Sequence, residues 1–310
     1  MKFQILIPTY NRCADLQKNL LHLRNQLLKY DLKEDFGIAI SDNASTDDTQ
    51  AMLEVMKDEW NGEIEMEIIC NETNAGLEQN AINLMQFGKS DYVIWLGDDD
   101  FLPDGYLHFI KDQFSNNHIG WMIPGLIGVD KEGVSHSGRP VIFPHRKFSP
   151  GYNAVYMWSH LAHQMSGLVV KRAELYELYI SKPEWRNPYL FIFFMAYCQM
   201  SFEGIYAPSY QVVVNNYNPK DWGYNKIGLL DEVFKSYYYL KEKTGNRRLK
   251  KLLLRFIIMH SYRIEFDKGL FYVLKQGHWI RKSAAEVAGL KFPLFNLLLK
   301  EYLIRKFRRN

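Results

Sequence analysis

Tyr92-Val93-Ile94-Trp95-Leu96-Gly97-Asp98-Asp99-Asp100-Phe101-Leu102 runs from five apolar or aromatic residues almost directly into three carboxylates. An unbroken apolar run of this kind reads as a strand buried on both faces, as in the middle of a parallel sheet. The acids follow where the strand ends, and in open α/β sheets that edge is where ligands bind. Adjacent carboxylates repel one another and resist burial, so a fold that gathers them calls for a compensating cation. Hard oxygen ligands suit Mg2+ or Mn2+, which bind through one or two carboxylates and complete their shell with substrate phosphates. The alternative is a solvated acidic turn ahead of a helix opening near Pro103-Asp104.

The residues before this stretch repeat one pattern. Lys2 to Pro8 reads as a first buried strand, followed by a helix with Leu16, Leu20, Leu23 and Leu27 on one face. Phe36 to Ser41 is a second strand, and the hydroxyls and acids of Asp42 to Thr49 are natural caps for the next helix. Glu65 to Cys70 makes a third strand, Asn71 to Gly76 turns the chain, and a helix is predicted over Leu77 to Phe87. The acidic strand comes fourth. Short strands alternating with longer helices imply a parallel, right-handed α/β sheet. The first turn, Pro8-Thr9-Tyr10-Asn11, has no GxGxxG, and GxxxxGK[ST] occurs nowhere. Nucleotide phosphates would therefore be held by a metal rather than by a glycine cradle.

Four stretches now stand in order: Ile7-Pro8-Thr9-Tyr10-Asn11-Arg12, Ser41 through Thr49, Asn71 through Gly76, and Leu96-Gly97-Asp98-Asp99-Asp100. Together they resemble the ordered motifs of family 2 glycosyltransferases with the GT-A fold, over roughly residues 1–125. The resemblance implies an α/β, Rossmann-like, mostly parallel sheet flanked by helices, with a nucleotide-sugar donor across its C-terminal edge. It implies that Pro8, Thr9 and Tyr10 line the base pocket, with the Tyr10 ring against the pyrimidine. Asp42 would accept the ring N–H of uracil or thymine, or else cap the following helix. Asn74 and Gly76 would shape the loop near base and ribose, or serve only as a turn that tolerates positive φ.

The register of the acids is open. The family's Leu-Asp-x-Asp-Asp pattern would put its first acid on Gly97, turn Asp98 toward the ribose and make Asp99 the main metal ligand. Alternatively Asp98 and Asp100 form a D-x-D pair. We take Asp99 as the indispensable metal ligand with Asp100 as its companion, and Asp98 on the nucleotide side, all three near the site. The Mn2+ or Mg2+ would neutralise the leaving diphosphate.

Beyond Ile119 the acceptor half is expected, with Trp121 to Pro124 a strand, Arg139 to Gly151 a loop or lid, and Met165 to Arg172 a strand entering the acceptor side. Inverting members of the family usually carry an acid at the start of the following helix as general base. That helix opens here at Asn187-Pro188-Tyr189, without an acid. Glu184 is the first candidate to replace it and His163 the second. Asp221 and His160 are further options, each with a structural role as its alternative. Trp158, Trp185 and Trp222, with Tyr152, Tyr156 and Tyr189, could stack on sugar rings or simply pack the core.

At 310 residues, 47% hydrophobic and 15% aromatic, the chain is a globular protein with room for a sizeable core. Cys13, Cys70 and Cys198 lie far apart without a CxxC pair, which argues against a zinc knuckle or disulfide framework and for a reducing compartment. Met1-Lys2-Phe3 leads straight into a strand, so no signal peptide is expected, and Tyr189 to Met200 is too short an apolar run to span a bilayer. A cytoplasmic setting follows. Net charge is +3, but residues 241–310 carry 18 Lys/Arg against 5 Asp/Glu, leaving −10 on the rest. The last segment puts Phe295, Leu298, Leu299, Tyr302 and Leu303 on one helical face and crowds Lys300, Arg305, Lys306, Arg308 and Arg309 at its end. A basic amphipathic helix reads as interfacial, so docking on an anionic membrane surface is expected, against the alternative of a helix docked on the core. No nucleic-acid recognition motif is present, and no nucleic-acid partner is expected.

The chain is thus read as a GT-A catalytic domain over 1–225, with a nucleotide-sugar half (1–125) and an acceptor half (126–225), and a basic helical C-terminal region over 226–310. Its expected activity is metal-dependent, inverting transfer from a UDP- or dTDP-type nucleotide sugar to a hydroxyl acceptor, such as a lipid-linked or cell-surface glycan precursor. The rivals are a nucleotide-sugar-binding or membrane-adaptor protein that has lost catalysis, and a metal-dependent phosphohydrolase. The phosphohydrolase reading suffers because the acids follow the fourth strand rather than the first.

Overall fold

The computed structural model describes residues 2–115, 118–139, 144–172, 174–216, 228–284 and 287–307. Its N-terminal half alternates β1 (Phe3–Thr9), α1 (Cys13–Lys29), β2 (Phe36–Asp42), α2 (Thr49–Glu59), β3 (Met66–Cys70), α3 (Gly76–Phe87), β4 (Tyr92–Trp95) and α4 (Tyr106–Phe114). There follow β5 (Ile119–Val129), β6 (Ser135–Ser137), β7 (Arg146–Phe148), α5 (Tyr152–Trp158), β8 (Val169–Lys171), α6 (Leu175–Ile180), α7 (Leu190–Ser201) and β9 (Glu203–Asn215). The C-terminal region is helical: α8 (Gly228–Glu232), α9 (Leu240–Met259), α10 (Leu270–Ser283) and α11 (Lys291–Phe307).

One sheet runs β3-β2-β1-β4-β8-β5-β9-β7, with β6 paired to β5. The first four strands in this order are parallel, as the alternation of short strands and helices predicts. β8 lies antiparallel between β4 and β5, and β5 pairs parallel with β9. β1 shows why the sheet is buried on both faces. Phe3, Ile5 and Ile7 point to the side covered by Leu16, Leu20, Leu23 and Leu27 of α1, while Leu6 points to the opposite cluster with Trp95. Trp95 meets Phe191 edge-on at 4.9 Å and stacks on Phe194 at 6.1 Å, both from α7. That helix is buried almost all round, so it is a core element of the sheet's second face. Among the described residues no helix is long and apolar enough to cross a membrane.

Two expectations need correction. The segment Arg139 to Gly151 is not a loop throughout, because Arg146–Phe148 pairs antiparallel with β9 and covers that strand's otherwise open edge. The apolar stripe of α11 is also divided. Leu294 and Leu298 are buried, and a Cβ on Gly277 of α10 would collide with Leu298, so the two helices meet at close range. Leu299 and Leu303 face outward instead. Packing of the C-terminal helices into the same apolar cluster as α7 took the inner half of the stripe. Arg308 and Arg309 lie outside the described residues.

Candidate active site

The acids sit in the turn after β4, beside the ends of β1 and β2. Asp98 is partly buried and accepts a 2.8 Å hydrogen bond from Thr9 Oγ1. Burial and the neighbouring charge of Asp99 push its carboxyl up to about 7, against the Thr9 hydroxyl and the Arg12 guanidinium, with Asp100 adding to the rise. Asp99 and Asp100 are both 5% exposed. Asp100 turns inward: Ser166 Oγ donates to its Oδ2, and the Asn215 N–H donates to Oδ1 at 3.1 Å. Asn215 Nδ2 also donates to the Asp99 carbonyl at 2.7 Å. From the other side, Asn19 Nδ2 of α1 reaches the carbonyls of Gly97 and Asp100 at 3.0 and 2.5 Å. Three buried polar side chains thus hold one acidic turn.

Pro8 and Thr9 are buried at the end of β1, and Tyr10, 41% exposed, presents its ring at the rim. Asn11, at φ +52°, donates its N–H to Ser45 Oγ at 2.8 Å and accepts the Thr46 N–H at 2.7 Å, clamping the loop after β1 to the loop after β2. Asp42 is fully buried. It accepts from the Ser45 N–H at 3.0 Å, from the Ser45 hydroxyl, and from Gln50 Nε2 at 2.7 Å. A carboxylate offers about four lone-pair positions, so the loop takes three and leaves one. Asn74 Oδ1 accepts from Asn43 Nδ2 at 2.7 Å and from the Gly76 N–H at 3.0 Å, and Gly76 itself stands at φ +80°, where a Cβ is strained. Both residues are exposed at the mouth of the same edge. The expected nucleotide residues therefore converge with the acids on one side of the sheet.

The base candidates separate. Glu184 lies exposed on a short 3-10 turn, Pro183–Trp185, and Asp221 lies outside the described residues, as does Trp222. Asn187, in the slot where an acid is expected, is buried and structural. Its Oδ1 accepts the Tyr189 N–H at 2.9 Å at the start of α7, and its Nδ2 reaches the Trp185 carbonyl and Ser236 Oγ at 2.8 and 3.0 Å. His163 lines a cavity of about 500 Å³ together with His160, His260, Arg139, Gln164 and Asn216. That cavity adjoins the acidic turn along the chain, since Gln164 is two residues before Ser166 and Asn216 follows Asn215. His163 Nδ1 lies 2.9 Å from the His160 carbonyl and 3.2 Å from His260 Nε2. Burial holds all three imidazoles well below the usual histidine range, helped at His160 and His163 by His260 and then nearby arginines, and at His260 by Arg263.

No group of three His, Cys, Asp or Glu side chains among the described residues forms a metal cage. Asp100, expected as the second metal ligand, is instead held from within by Ser166 and Asn215, which leaves Asp98 and Asp99 as the carboxylates that would hold an ion whose remaining ligands are substrate phosphates. Asn19, Ser166, Asn215 and Arg12 escaped the sequence reading as site residues. Asn19 carries a signal in hindsight, being a polar residue inside the apolar stripe of α1. Arg12 ends the Ile7–Arg12 stretch, and Ser166 lies in the Met165–Arg172 stretch.

Residues 4–164 match the model of glycosyl transferase family 2. The chain belongs to that family, and the phosphohydrolase alternative falls. Over 111 residues it is 37% identical to the abequosyltransferase RfbV of Salmonella typhimurium, covering 36% of this chain and 32% of that protein. It is 27% identical over 139 residues to the poly(ribitol-phosphate) beta-N-acetylglucosaminyltransferase TarS of Staphylococcus aureus, covering 44% of this chain and 23% of that one. The matches thus span about a third or less of these curated relatives. In structure, residues 1–349 of S. aureus TarS in complex with UDP-GlcNAc superpose with a TM-score of 0.71 at 16% identity, over 97% of this chain and 88% of that one. A mannosyltransferase of Pyrobaculum calidifontis in complex with GDP-Man and Mn2+ superposes at 0.55 and 12% identity, over 97% and 87%. These likenesses establish a GT-A fold.

Proposed function

We propose that this chain transfers a sugar, with inversion, from a UDP- or dTDP-type nucleotide sugar to a hydroxyl on a lipid-linked or cell-surface glycan precursor. The observation that carries the reading is the acidic turn itself: Asp98 and Asp99, held between Thr9 and Asn215, at the sheet edge where Tyr10 and Asp42 also end. Asp99 and Asp98 would hold Mn2+ or Mg2+, which supplies charge neutralisation to the departing diphosphate. The Tyr10 ring stacks on the base, and we assign its ring N–H to the remaining lone-pair position of Asp42, which is buried under Ser45 and Gln50 and is reached when that loop parts. Asn74 and Gly76 border base and ribose.

On the acceptor side, His163 takes the place of the missing acid. The described residues lining the cavity include no carboxylate, so imidazoles are the proton acceptors available there. With Nδ1–H donated to the His160 carbonyl, His163 Nε2 keeps its lone pair for the acceptor hydroxyl. As the acceptor oxygen bonds to the anomeric carbon it becomes strongly acidic, so its proton passes to Nε2 although burial holds this imidazole well below the ordinary range. The bond from that carbon to the diphosphate oxygen breaks, and a nucleoside diphosphate leaves. Glu184 is the alternative base if the turn that carries it moves toward the site.

A membrane setting is supported by α10 and α11, on which Phe271 (85% exposed), Phe292 (76%) and Phe307 (73%) are exposed, as are Lys275, Lys282, Lys300 and Lys306. Exposed aromatic rings flanked by lysines suit an anionic lipid surface. Nucleotide-sugar turnover, followed with and without a hydroxyl acceptor, tests the assignment. Activity should vanish in EDTA and return with Mn2+ or Mg2+, and full activity in EDTA would refute the metal. Uridine or thymidine diphosphate should bind at least about tenfold more tightly than cytidine diphosphate, because a mismatched buried polar contact costs about 1–3 kcal/mol. Equal affinities would remove Asp42 from the base pocket.

A further inference from the structure

The cavity lined by Gln164 and Asn216, close along the chain to Ser166 and Asn215, has a chemistry opposite to that of the acidic turn. Two guanidiniums, Arg139 and Arg255, line it with three imidazoles, and no described lining residue is acidic. Arg139 is 4% exposed and spends its donors on carbonyls, those of Pro124, Leu161 and Gln164, at 2.8, 3.1 and 2.7 Å. Arg255 lies over the Tyr156 ring at 4.8 Å. Neither guanidinium has a carboxylate partner among the described residues, so positive charge stands at the cavity wall without a counter-ion from those residues. Two further polar atoms are buried without a hydrogen-bond partner, Arg255 Nε and Nδ1 of His160, the latter on a side chain only 6% exposed. Buried polar groups left in this way are costly, and a ligand that meets them removes the cost.

We infer that this cavity binds a phosphoryl group carried by the acceptor, using Arg255 as its principal charged contact and His160 and Gln164 as hydrogen-bonding partners. The anion is bound directly. A metal-bridged diphosphate needs carboxylates, which none of the described lining residues supplies, whereas a bare phosphoryl oxygen is the natural partner of a guanidinium. The place fits an acceptor because Gln164 and Asn216 continue directly into the residues that hold the acidic turn. A phosphoryl group seated here would fix the neighbouring hydroxyl of the same molecule beside His163. This inference rests on the glycosyl-transfer reading for the word acceptor, but the binding itself does not.

Calorimetry on the full chain tests it with glycerol 3-phosphate, with a short-chain polyprenyl phosphate in neutral micelles, and with glycerol as the uncharged control. At least one phosphate should bind where glycerol does not, and the tighter of the two identifies a polyol or a lipid as the source of the group. Arg255→Ala should weaken that phosphate at least tenfold. Gln164→Glu, at an exposed position, should also weaken it by placing a carboxylate at the wall. UDP with Mn2+ should bind both variants within twofold of the parent, which also reports that they are folded. Failure of UDP to bind anywhere, with phosphate binding intact, would count against the donor site and leave the cavity assignment standing. Phosphate affinities that neither substitution changes, or no preference over glycerol, would overturn the inference.

Discussion

A Cβ placed on Gly97 would lie 2.7 Å from Oδ2 of Asp100. The two residues are therefore a matched pair. Asp100 turns into the space that a side chain at 97 would fill, and Ser166 and Asn215 hold it there. This is the physical reason for the glycine in the position where the family pattern carries its first acid. It also divides the three carboxylates by role. Asp100 is engaged from within the fold, and Asp98 and Asp99 are the pair we assign to the metal.

Gly97→Ala should consequently disturb the site from inside. Crowding of this kind typically costs about 1–3 kcal/mol, and the displaced Asp100 would drag the acidic turn with it. Asp100→Ala should destabilise by a similar amount, because it leaves the Ser166 hydroxyl and the Asn215 N–H without their buried acceptor, at about 1–3 kcal/mol. Denaturant unfolding of the two variants checks both. An unchanged midpoint for Asp100→Ala would mean that this carboxylate is not structural.

The three buried imidazoles predict a pH dependence of stability. Burial lowers His160 to about 3 and His260 to about 4 from the ordinary 6.5. On acidification the unfolded chain therefore takes up protons from about 6.5 downward while the folded chain does not. Stability should be fully present above that range and fall as pH drops, with the His260 contribution levelling off near 4 and that of His160 only near 3. His260→Gln should flatten the slope between pH 6.5 and 4, measured by unfolding midpoints at half-unit steps. An identical slope in the variant would contradict the assignment.

Leu298 and Phe292 should separate the two faces of α11. Leu298→Ala removes a buried side chain packed against Gly277 and should cost about 2–5 kcal/mol. Phe292→Glu should leave the melting temperature nearly unchanged and reduce co-sedimentation with anionic liposomes. Liposome binding by the parent that is absent at low salt, or indifferent to Phe292→Glu, would remove the membrane surface from the account.

Much of this was legible in the chain because parallel strands buried on both faces leave long apolar runs, as at Tyr92 to Leu96. Loops that must satisfy their own backbone leave recognisable polar clusters, as at Asp42 to Thr49. The acceptor side was less legible. Its cavity draws Arg139 from the segment after β6, His163 from a 3-10 turn and Arg255 from α9, residues whose meeting no local pattern announces. The amphipathic reading of α11 was half right for a related reason. Helical periodicity assigns residues to faces, but only the neighbouring helix determines which face is covered.

The division of roles between Asp99 and Asp100 rests on a cation joining the acidic turn to a diphosphate. Calorimetric titration of UDP into the full chain, with Mn2+ and then with EDTA, against the parent and Asp99→Ala, tests it most directly. The account predicts binding by the parent that falls at least tenfold in EDTA, and binding by Asp99→Ala that is weak in both conditions although the variant melts like the parent. UDP affinity that is the same with Mn2+ and with EDTA, or that survives in Asp99→Ala with Mn2+, would contradict it.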